Sequence, residues 1–551
     1  MAKPKRTHLK MDPDKIKKLP AVQSCYYACG YKSQDLKKPN IAVIFSQNNI
    51  CPGHTHLNEL ARSAAKGISK SGGTPVLMNA GVGVCDGIAM GHVGMKYSLA
   101  SRENNADACE LMVRSHAIFS GIVFIGACDK NLPGYFMAAA RLNLPSIFIT
   151  AGPMMPGKYK NKKLDILDSF AADAQYALNK ISKKEYENII EKCMPGCGSC
   201  SGLFTANSMA CVTEAIGLSL PGMAAAHADT SKKHELSEKS GRIIMKLVKK
   251  DIKALDIITK KSVENAIVLD MAIGASTNTI LHMQAISGEA GIEITPEKIN
   301  TISRKTPNIV KLSPSSDQHM IDLDNAGGIP AVLKELKDLL HDTVTAESTL
   351  YERISRAENK DKNIIRDIKN PYSGQGGLVI LSGNISPEGS VIKTSGIHPD
   401  VGKIFRGTAR VFDSEEDATA YIKSGRVQPK EVIVIRYEGP AGGPGMREML
   451  YPTSAIKGLK MDKEVALITD GRFSGATSGI CVGHIAPEAY NKGLIAFVEN
   501  NDEIEIDLEK KELNLLVDEE VIKNRKNNWK RIKKPIKNGI LKTFRKKFTF
   551  K

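Results

Sequence analysis

The first two-thirds of the chain alternates short apolar segments with segments of helical spacing, and this alternation limits the possible folds more than any other feature. The apolar segments are rich in β-branched and aromatic residues and occur at residues 41–45, 74–78, 121–125 and 146–150. Helical spacing separates them at residues 56–65 and 135–142. Because buried strands and crossover helices repeat in this way, the pattern predicts a mostly parallel sheet covered by helices, an α/β/α arrangement.

The character of the sequence changes at residues 357–363, which are highly charged, and at residues 370–377, which are rich in glycine. We place a domain boundary between residues 365 and 366, because such stretches are typical of boundaries. Strand-like segments dominate beyond it, at residues 378–381, 409–412, 431–435, 464–468, 503–508 and 513–517. The sequence therefore predicts an N-terminal α/β domain at residues 1–365 and a β-rich, barrel-like domain at residues 366–551.

Composition and length are those of a globular protein with ample material for large cores. The chain has 551 residues, of which 42% are hydrophobic and 25% charged, as is usual for soluble proteins. No apolar h-region follows the basic N-terminus, and no uncharged apolar run reaches the roughly 18 residues of a spanning helix. The eleven cysteines do not indicate a disulfide framework in a chain of this kind. We therefore expect a cytoplasmic protein with no membrane partner.

Residues 523–551 form a basic tail with 13 Lys or Arg and no Asp or Glu, which accounts for most of the net charge of +17. The tail also carries aromatic residues, namely Trp529, Phe544, Phe548 and Phe550. A tail of this composition could bind RNA or a membrane surface. More often it is a solvated helical end, so we expect no nucleic-acid partner.

The segment after residues 121–125 carries a thiol, a carboxylate and an amine in succession, at Cys128, Asp129 and Lys130. In open α/β sheets, ligands gather at the carboxyl ends of the strands. A soft metal ligand beside a hard one indicates two inorganic centres at one place, an iron–sulfur cluster on Cys128 and a divalent cation on Asp129. A chance turn of these three residues is the alternative.

Two other loops combine cysteine with glycine. Cys197 and Cys200 have Cys-x-x-Cys spacing in a segment of Gly and Ser, which can fold around a metal. Zinc normally needs a second such pair and the chain has none, so Cys200 fits an iron–sulfur site with Cys128 better. The other loop places Asp86 next to Cys85, where the carboxylate can turn into a cleft, although a simple Asp-Gly turn is an equally good interpretation.

Two glycine-rich loops of the C-terminal region also follow strand-like segments. The first contributes Arg436, Arg447 and Glu448. It can close over a ligand, with Glu448 reaching a metal and either Arg436 or Arg447 holding a carboxylate. The second contributes Arg472 and Ser474. The serine has the small neighbour of a nucleophile, but the Gly-x-Ser-x-Gly pattern of hydrolases is not met.

Together these motifs closely resemble the dihydroxy-acid dehydratase and phosphogluconate dehydratase family, from residue 39 to about residue 517. The Cys128-Asp-Lys block and the block from Thr469 to Gly475 are distinctive of it. Other segments resemble the dihydroxy-acid branch, at residues 52–57, 86–92, 274–278, 382–386, 393–396 and 437–440. The basic tail departs from the usual ending of the family.

This resemblance implies a hydro-lyase. Such enzymes remove water from 2,3-dihydroxy-3-methyl acids, which are 2,3-dihydroxyisovalerate and 2,3-dihydroxy-3-methylvalerate, and give the 2-oxo acids of valine and isoleucine biosynthesis. The resemblance also implies an iron–sulfur cluster, Mg²⁺ and a homodimer. Within the family the alternative is a sugar-acid dehydratase acting on aldonates or 6-phosphogluconate. Outside enzymes, the alternative is an iron–sulfur protein that binds RNA with its tail.

The resemblance further implies a role for each candidate residue. The implied Mg²⁺ ligands are Asp86, Asp129, Glu448 and a carbamylated Lys130. The implied cluster ligands are Cys128 and Cys200, and the implied base is Ser474. We assign Arg436 and Arg472 to the substrate.

One position departs from the family pattern. Many relatives with a 2Fe–2S cluster carry their third cysteine where this chain has Gly53. Cys51 lies two residues earlier, and Cys85 precedes the candidate metal aspartate. We expect Cys85 to be the third ligand, with Cys51 as the next candidate. The missing thiol leaves the cluster type open between 2Fe–2S and 4Fe–4S.

Overall fold

A computed structural model describes residues 12–536 and 538–549 of the protein. The first half contains a four-stranded sheet in the order β2-β1-β3-β4, and all its neighbours are parallel. Its strands are β1 (Asn40–Phe45), β2 (Thr74–Asn79), β3 (Phe119–Gly126) and β4 (Ser146–Thr150). A separate hairpin follows, made of β5 (Gly157–Tyr159) and β6 (Lys162–Leu164). The four strands are the four apolar segments of the sequence, so the predicted parallel sheet is confirmed.

Helices fill most of the remaining chain up to residue 355. They are α1 (Pro13–Ile16), α2 (Pro20–Ala28), α3 (Ser33–Leu36), α4 (Leu57–Lys70), α5 (Asp86–Ala89), α6 (Ser98–His116), α7 (Asn131–Leu142), α8 (Ile166–Ala177), α9 (Lys183–Lys192), α10 (Thr205–Ile216), α11 (Ser231–Lys250), α12 (Ala254–Ile257), α13 (Lys260–Ile273), α14 (Asn278–Ala290), α15 (Pro296–Lys305), α16 (Met320–Asn325), α17 (Gly328–Glu335) and α18 (Leu350–Ser355).

Both faces of the parallel sheet are covered, which explains why its strands are apolar throughout. In β1, Ile41 and Val43 pack into one core with α4 and α11, whereas Ala42 and Ile44 pack into the other with α6 and α7. Successive side chains of a strand point to opposite faces. The predicted α/β/α layering is therefore confirmed.

Helices α4 and α11 approach each other closely at two glycines. A Cβ atom at Gly67 would lie 2.0 Å from the carbonyl oxygen of Glu238, and one at Gly241 would lie 2.0 Å from the carbonyl oxygen of Ala64. Real side chains cannot make such contacts, so any larger residue at either position would force the helices apart. This pair of glycines fixes the layer that backs the sheet.

The C-terminal part is built on an eight-stranded sheet in the order β16-β15-β9-β10-β12-β14-β8-β7. Its strands are β7 (Val379–Leu381), β8 (Gly389–Ile392), β9 (Ile404–Phe412), β10 (Glu431–Ile435), β12 (Ala466–Thr469), β14 (Ile480–Ala486), β15 (Glu503–Asp507) and β16 (Glu512–Leu515), and a short separate pair is formed by β11 (Glu448–Met449) and β13 (Arg472–Phe473). The remaining helices are α19 (Glu415–Lys423), α20 (Tyr451–Gly458), α21 (Glu519–Asn528) and α22 (Ile540–Phe548).

The two edges of this sheet meet, so it curls into a nearly closed barrel. Ser382 follows β7 and forms a parallel bridge to Glu512 at the start of β16. The amide of Leu513 donates to the carbonyl of Ser382 over 2.6 Å, and the amide of Ser382 donates to the carbonyl of Lys511 over 2.9 Å. Closure satisfies edge groups that would otherwise be exposed. The predicted barrel-like character is confirmed.

The basic tail packs against the body, contrary to the expectation of a solvated helical end. The indole of Trp529 donates to the hydroxyl of Tyr437 over 3.1 Å, and the amine of Lys534 donates to Glu438 over 2.8 Å. Leu541 and Phe544 of α22 are buried. Aromatic and aliphatic side chains within a basic segment here anchor it by burial. Phe550 and residues 1–11 lie outside the described residues.

Candidate active site

Three carboxylates from distant parts of the sequence converge on one buried amine. Asp86 begins α5, Asp129 lies between β3 and α7, and Glu448 begins β11. Their carboxylate oxygens lie within 4.8 Å of one another. The amine of Lys130 lies 2.8 Å from Asp86, 3.6 Å from Asp129 and 3.1 Å from Glu448. The structure thus brings together all four side chains that the family resemblance implies as Mg²⁺ ligands.

Burial and mutual repulsion dominate the electrostatics of this carboxylate cluster. Burial is the main cause that raises the pKa of Asp129 to about 7; the charge of Lys130 opposes this rise, and the carboxylates of Asp86 and Glu448 add to it. Burial alone would lower the pKa of Lys130, but the nearby carboxylates raise it above its ordinary value. Asp86 and Glu448 are buried and Asp129 is partly buried, and carboxylates so withdrawn from water require positive charge close to them. This donor set of oxygen atoms is the one that hard divalent cations prefer.

Arg472 extends the cluster and leaves one donor uncommitted. Its Nη1 donates to Glu448 over 2.6 Å and to the amide oxygen of Asn278 over 2.7 Å, and its Nε donates to the carbonyl of Met446 over 2.8 Å. Among the described residues, Nη2 of Arg472 and Oε1 of Glu448 are buried without a hydrogen-bond partner. Buried polar groups without partners are costly, by about 1–3 kcal/mol each. A bound cation would satisfy Oε1 of Glu448, and a bound anion would satisfy Nη2 of Arg472.

The short ladder between β11 and β13 sets the relative positions of these groups. Glu448 pairs with Arg472 and Met449 pairs with Phe473. Ser474 comes next, and its amide donates to the carbonyl of Met449 over 2.9 Å. The Ser474 hydroxyl accepts a hydrogen bond from the amide of Ala476 at 3.3 Å. The candidate base therefore follows directly from the strand pair that holds the carboxylate and the arginine.

A cluster of thiols lies beside the carboxylates, since Cys128 immediately precedes Asp129. The Cys51 sulfur lies 3.2 Å from the Cys128 sulfur. Cys85 interacts with Cys51, which raises the pKa of the Cys85 thiol together with burial. Burial raises the pKa of Cys200, and the charges of Cys85 and Cys51 add to the effect. All four thiols therefore share one neighbourhood, and soft sulfur ligands in such a group suit iron.

A histidine that the sequence interpretation left without a role joins these thiols. His54 forms a candidate metal-binding group with Cys51 and Cys128. Its Nδ1 lies 2.6 Å from the carbonyl oxygen of Ser46, and its Nε2 is buried without a partner among the described residues. Burial lowers the pKa of His54 to about 4, so the ring is neutral and can act as a ligand. The sequence could have indicated this histidine, because His54 lies only three residues after Cys51.

Gly53 sits directly against the Cys128 sulfur. A Cβ atom at this glycine would lie 3.0 Å from that sulfur and 3.2 Å from the Cβ of Ala127. Gly53, the position at which the family pattern would place a third cysteine, therefore lies beside the thiols. Cys51, two residues earlier, supplies a sulfur in the same neighbourhood.

Arg436 does not join the site. Its Nε donates to Asp413 over 2.6 Å, and its Nη1 donates to the carbonyls of Ala496 and Val498 over 2.8 and 2.9 Å. These bonds tie the end of β10 to the neighbouring loop, because an arginine at a strand end can satisfy several carbonyls at once. The assignment of Arg436 to the substrate is therefore replaced by a structural one.

Comparison with known proteins identifies the family. The family model described as dihydroxy-acid/6-phosphogluconate dehydratase N-terminal matches residues 38–353, and the corresponding C-terminal model matches residues 363–550. The second match extends to residue 550, so the region matched by the family's C-terminal model includes most of the basic tail.

Curated relatives named dihydroxy-acid dehydratase align over almost the whole chain. The protein from Acetivibrio thermocellus is 49% identical over 528 residues, which cover 95% of each chain. Those from Clostridium novyi and Pyrococcus furiosus are 49% and 47% identical, over 92% and 95% of each chain. The chain belongs to the dihydroxy-acid/6-phosphogluconate dehydratase family.

Proposed function

We propose that the protein dehydrates 2,3-dihydroxyisovalerate and 2,3-dihydroxy-3-methylvalerate to the corresponding 2-oxo acids, as a hydro-lyase of valine and isoleucine biosynthesis. The observation that carries the proposal is the convergence of Asp86, Asp129 and Glu448 on Lys130 beside the thiols. The near-complete alignment with relatives named dihydroxy-acid dehydratase supports the same substrate class.

The residues present fit a magnesium ion. Three carboxylates offer oxygen ligands, and the buried Oε1 of Glu448 lacks a partner among the described residues. An ammonium at Lys130 now balances the carboxylates; a carbamate on the same nitrogen would add an anionic oxygen ligand in place of a cation. Mg²⁺ needs oxygen ligands of this kind. Asp86, Asp129, Glu448 and carbamylated Lys130 would hold it.

The thiols fit an iron–sulfur cluster. Cys128 and Cys200 are the proposed ligands, and the 3.2 Å contact between the sulfurs of Cys51 and Cys128 supports Cys51 as the third. Cys85 is the alternative, since it interacts with Cys51. With these thiols present, the proposed cluster is 2Fe–2S or 4Fe–4S.

The chain's own residues account for the handling of substrate and proton. When bound, the two inorganic centres supply Lewis acidity for the leaving C3 hydroxyl and for the negative charge that develops next to the carboxylate. The uncommitted Nη2 of Arg472 is placed to donate to the substrate carboxylate. The Oγ of Ser474 accepts the C2 proton. Because the site is buried, water is excluded from the reacting carbon.

An anaerobic assay tests the proposal. We expect purified protein loaded with iron, sulfide and Mg²⁺ to turn over 2,3-dihydroxyisovalerate with a kcat/KM at least ~100-fold above that for gluconate or 6-phosphogluconate. A preference for either sugar acid would move the assignment to the other branch of the family. RNA retention on a column, with no turnover of any of the three acids, would support the non-enzymatic alternative.

Three other expectations are part of this proposal. Sedimentation should show a homodimer, and fractionation should find the protein in the cytoplasm. No helix of the described residues is both long enough and apolar enough to span a membrane. Limited proteolysis should cut near residues 357–370 if the division into residues 1–365 and 366–551 is correct.

A further inference from the structure

A small cavity is lined by both Ser474 and a buried lysine, Lys393. The cavity has a volume of about 10 Å³ and is lined by Lys393, Ser474 and Thr477, with Thr277, Phe473, Gly479, Cys481 and Gly483 completing it. A site needs about that volume to hold one water molecule. Only 7% of the Lys393 side chain is exposed, and 9% of Ser474.

The amine of Lys393 has no charged partner. No hydrogen bond or ion pair joins its Nζ to any residue in the described parts of the chain, and burial is the sole cause that lowers the pKa of Lys393, to about 7. Apart from Lys393, the ionisable group among the lining side chains is the thiol of Cys481, whose pKa burial raises. Isolated buried amines are costly, so this one calls for a function.

Another buried lysine shows how such an amine is normally accommodated. Lys233 is fully buried, and its Nζ donates to the carbonyl of Met223 over 2.6 Å and to the hydroxyl of Thr150 over 3.1 Å. Burial lowers its pKa to about 7 as well. Lys233 is thus tied into the fold by hydrogen bonds, whereas Lys393 has none and opens onto the cavity of Ser474.

We propose that Lys393 is the proton acceptor that activates Ser474, directly or through one water in the shared cavity. This inference rests on the proposed function, because it assumes that Ser474 takes the C2 proton. A serine hydroxyl is a weak base by itself and becomes effective only when another group removes its proton. Among the lining groups, a neutral amine is the one able to do so near neutral pH.

The proton balance of the step is closed. The O–H bond of Ser474 breaks and an N–H bond forms on Lys393, leaving an alkoxide and an ammonium. The alkoxide then takes the C2 proton of the substrate, and the C–H electron pair becomes the C2–C3 double bond as the C3 hydroxide leaves with the C–O electron pair. The resulting enol becomes the 2-oxo acid when its hydroxyl proton moves to C3. The ammonium returns its proton to the departing hydroxide, which becomes water. Ser474 and Lys393 end the cycle in the states in which they began it.

The charge state of Lys393 gives the reaction a defined pH dependence. The amine accepts a proton only when neutral. At saturating Mg²⁺, which would keep the Asp129 carboxylate ionised although burial raises its pKa to about 7, kcat/KM should therefore rise with pH through a value near 7 and level off above it. Lys393→Met keeps the volume of the side chain but removes the base. We expect this variant to lose ~100-fold or more in kcat, with KM changed less than 3-fold, and to lose the acid limb of the profile.

Lys233→Met is the matched control. It removes the other buried lysine of similar pKa, at a place that does not line the cavity. Its pH profile should keep the wild-type acid limb, and its visible spectrum and Mg²⁺ affinity should match those of Lys393→Met and of the wild type. Chemical rescue adds a readout that a purely structural role would not move. Methylamine should raise the activity of Lys393→Ala at least ~10-fold, and it should leave the activity of Ser474→Ala unchanged.

The possible outcomes separate the two proposals. A wild-type enzyme that dehydrates 2,3-dihydroxyisovalerate, with an acid limb that survives in Lys393→Met or with no rescue of Lys393→Ala, overturns the role of Lys393 and leaves the proposed function intact. A wild type active only on gluconate overturns the proposed substrate. The loss and rescue at Lys393 are then measured with gluconate and decide its role there.

Discussion

Two buried lysines of this protein, Lys130 and Lys393, have opposite surroundings. Lys130 lies within 3.6 Å of three carboxylates, which raise its pKa against the effect of burial. Lys393 has no such neighbour, so burial alone lowers its pKa to about 7. The same side chain is therefore held as a cation in one place and as a base in the other. Neighbouring charge, more than burial itself, decides which role a lysine takes.

The largest effect should come from removing the paired lysine. In Lys130→Met, the buried carboxylates of Asp86 and Glu448 and the partly buried carboxylate of Asp129 lose the ammonium that they share, and Arg472 is the cation that remains beside them among the described residues. Breaking a buried pair typically costs about 3–5 kcal/mol. We expect a loss of that order in the free energy of unfolding of the metal-free protein, measured by urea titration, and at least ~1,000-fold loss of turnover. A variant as stable as the wild type would mean that the carboxylates are protonated in the metal-free protein.

Removing the unpaired lysine, Lys393, should instead increase the stability of the folded protein. In the folded protein the pKa of Lys393 is about 7, against about 10.4 in an unfolded chain. Between these values the unfolded state binds more protons, so this group makes stability rise with pH and is most unfavourable below pH 7. Lys393→Met should therefore be more stable than the wild type at pH 6, by roughly 2–4 kcal/mol, and the difference should shrink by pH 10. Equal stability at both pH values would contradict an uncompensated buried amine.

The thiols offer a third test beside the paired lysine. If Cys51 is the third ligand, Cys51→Ser should lower the iron and sulfide content of the reconstituted protein by at least half and shift its visible spectrum. Cys85→Ser serves as the matched variant and should keep most of the iron. The reverse result would return the third position to Cys85. Cys109→Ser, at a buried thiol packed in the apolar core, controls for the loss of a buried sulfur.

The smallest effect is expected at the two arginines. Arg472→Lys should raise KM by ~10-fold or more, because a lysine cannot both bind Glu448 and donate to a carboxylate. Arg436→Lys should change KM less than 2-fold and lower the free energy of unfolding by about 1 kcal/mol, through the lost bonds to Ala496 and Val498. A large rise in KM for Arg436→Lys would restore it to the substrate site.

Local features of the fold could be predicted from the sequence. The strands β1 to β4 were identified by their apolar runs, because a strand buried on both faces must be apolar at every position. The alternation at residues 503–508 and 513–517 likewise indicated strands, now β15 and β16. Closure of the barrel, which depends on a bridge between Ser382 and Glu512, could be anticipated only as a general tendency of such sheets.

The site could be predicted where its residues are neighbours in the chain. Cys128, Asp129 and Lys130 were recognisable as one block. Arg436 illustrates the limit: a charged residue in a glycine-rich loop looks free, yet its partners Ala496 and Val498 lie 60 and 62 residues away. Lys393 shows the converse, because a lone lysine in a sequence gives no sign that it will be buried without a partner. Domain division at residue 365 stays a prediction.

The dependence of the carboxylate cluster on Glu448 bears on how the protein matures during synthesis. All the candidate cluster thiols belong to the first 200 residues, whereas Glu448 and Arg472 emerge much later. A nascent chain can therefore expose the proposed cluster thiols before the carboxylate cluster is complete. Until β11 and β13 are made, Lys130 lacks one of its carboxylates, and Cys200 lacks its packing against the apolar cluster that includes Leu450 and Ala476.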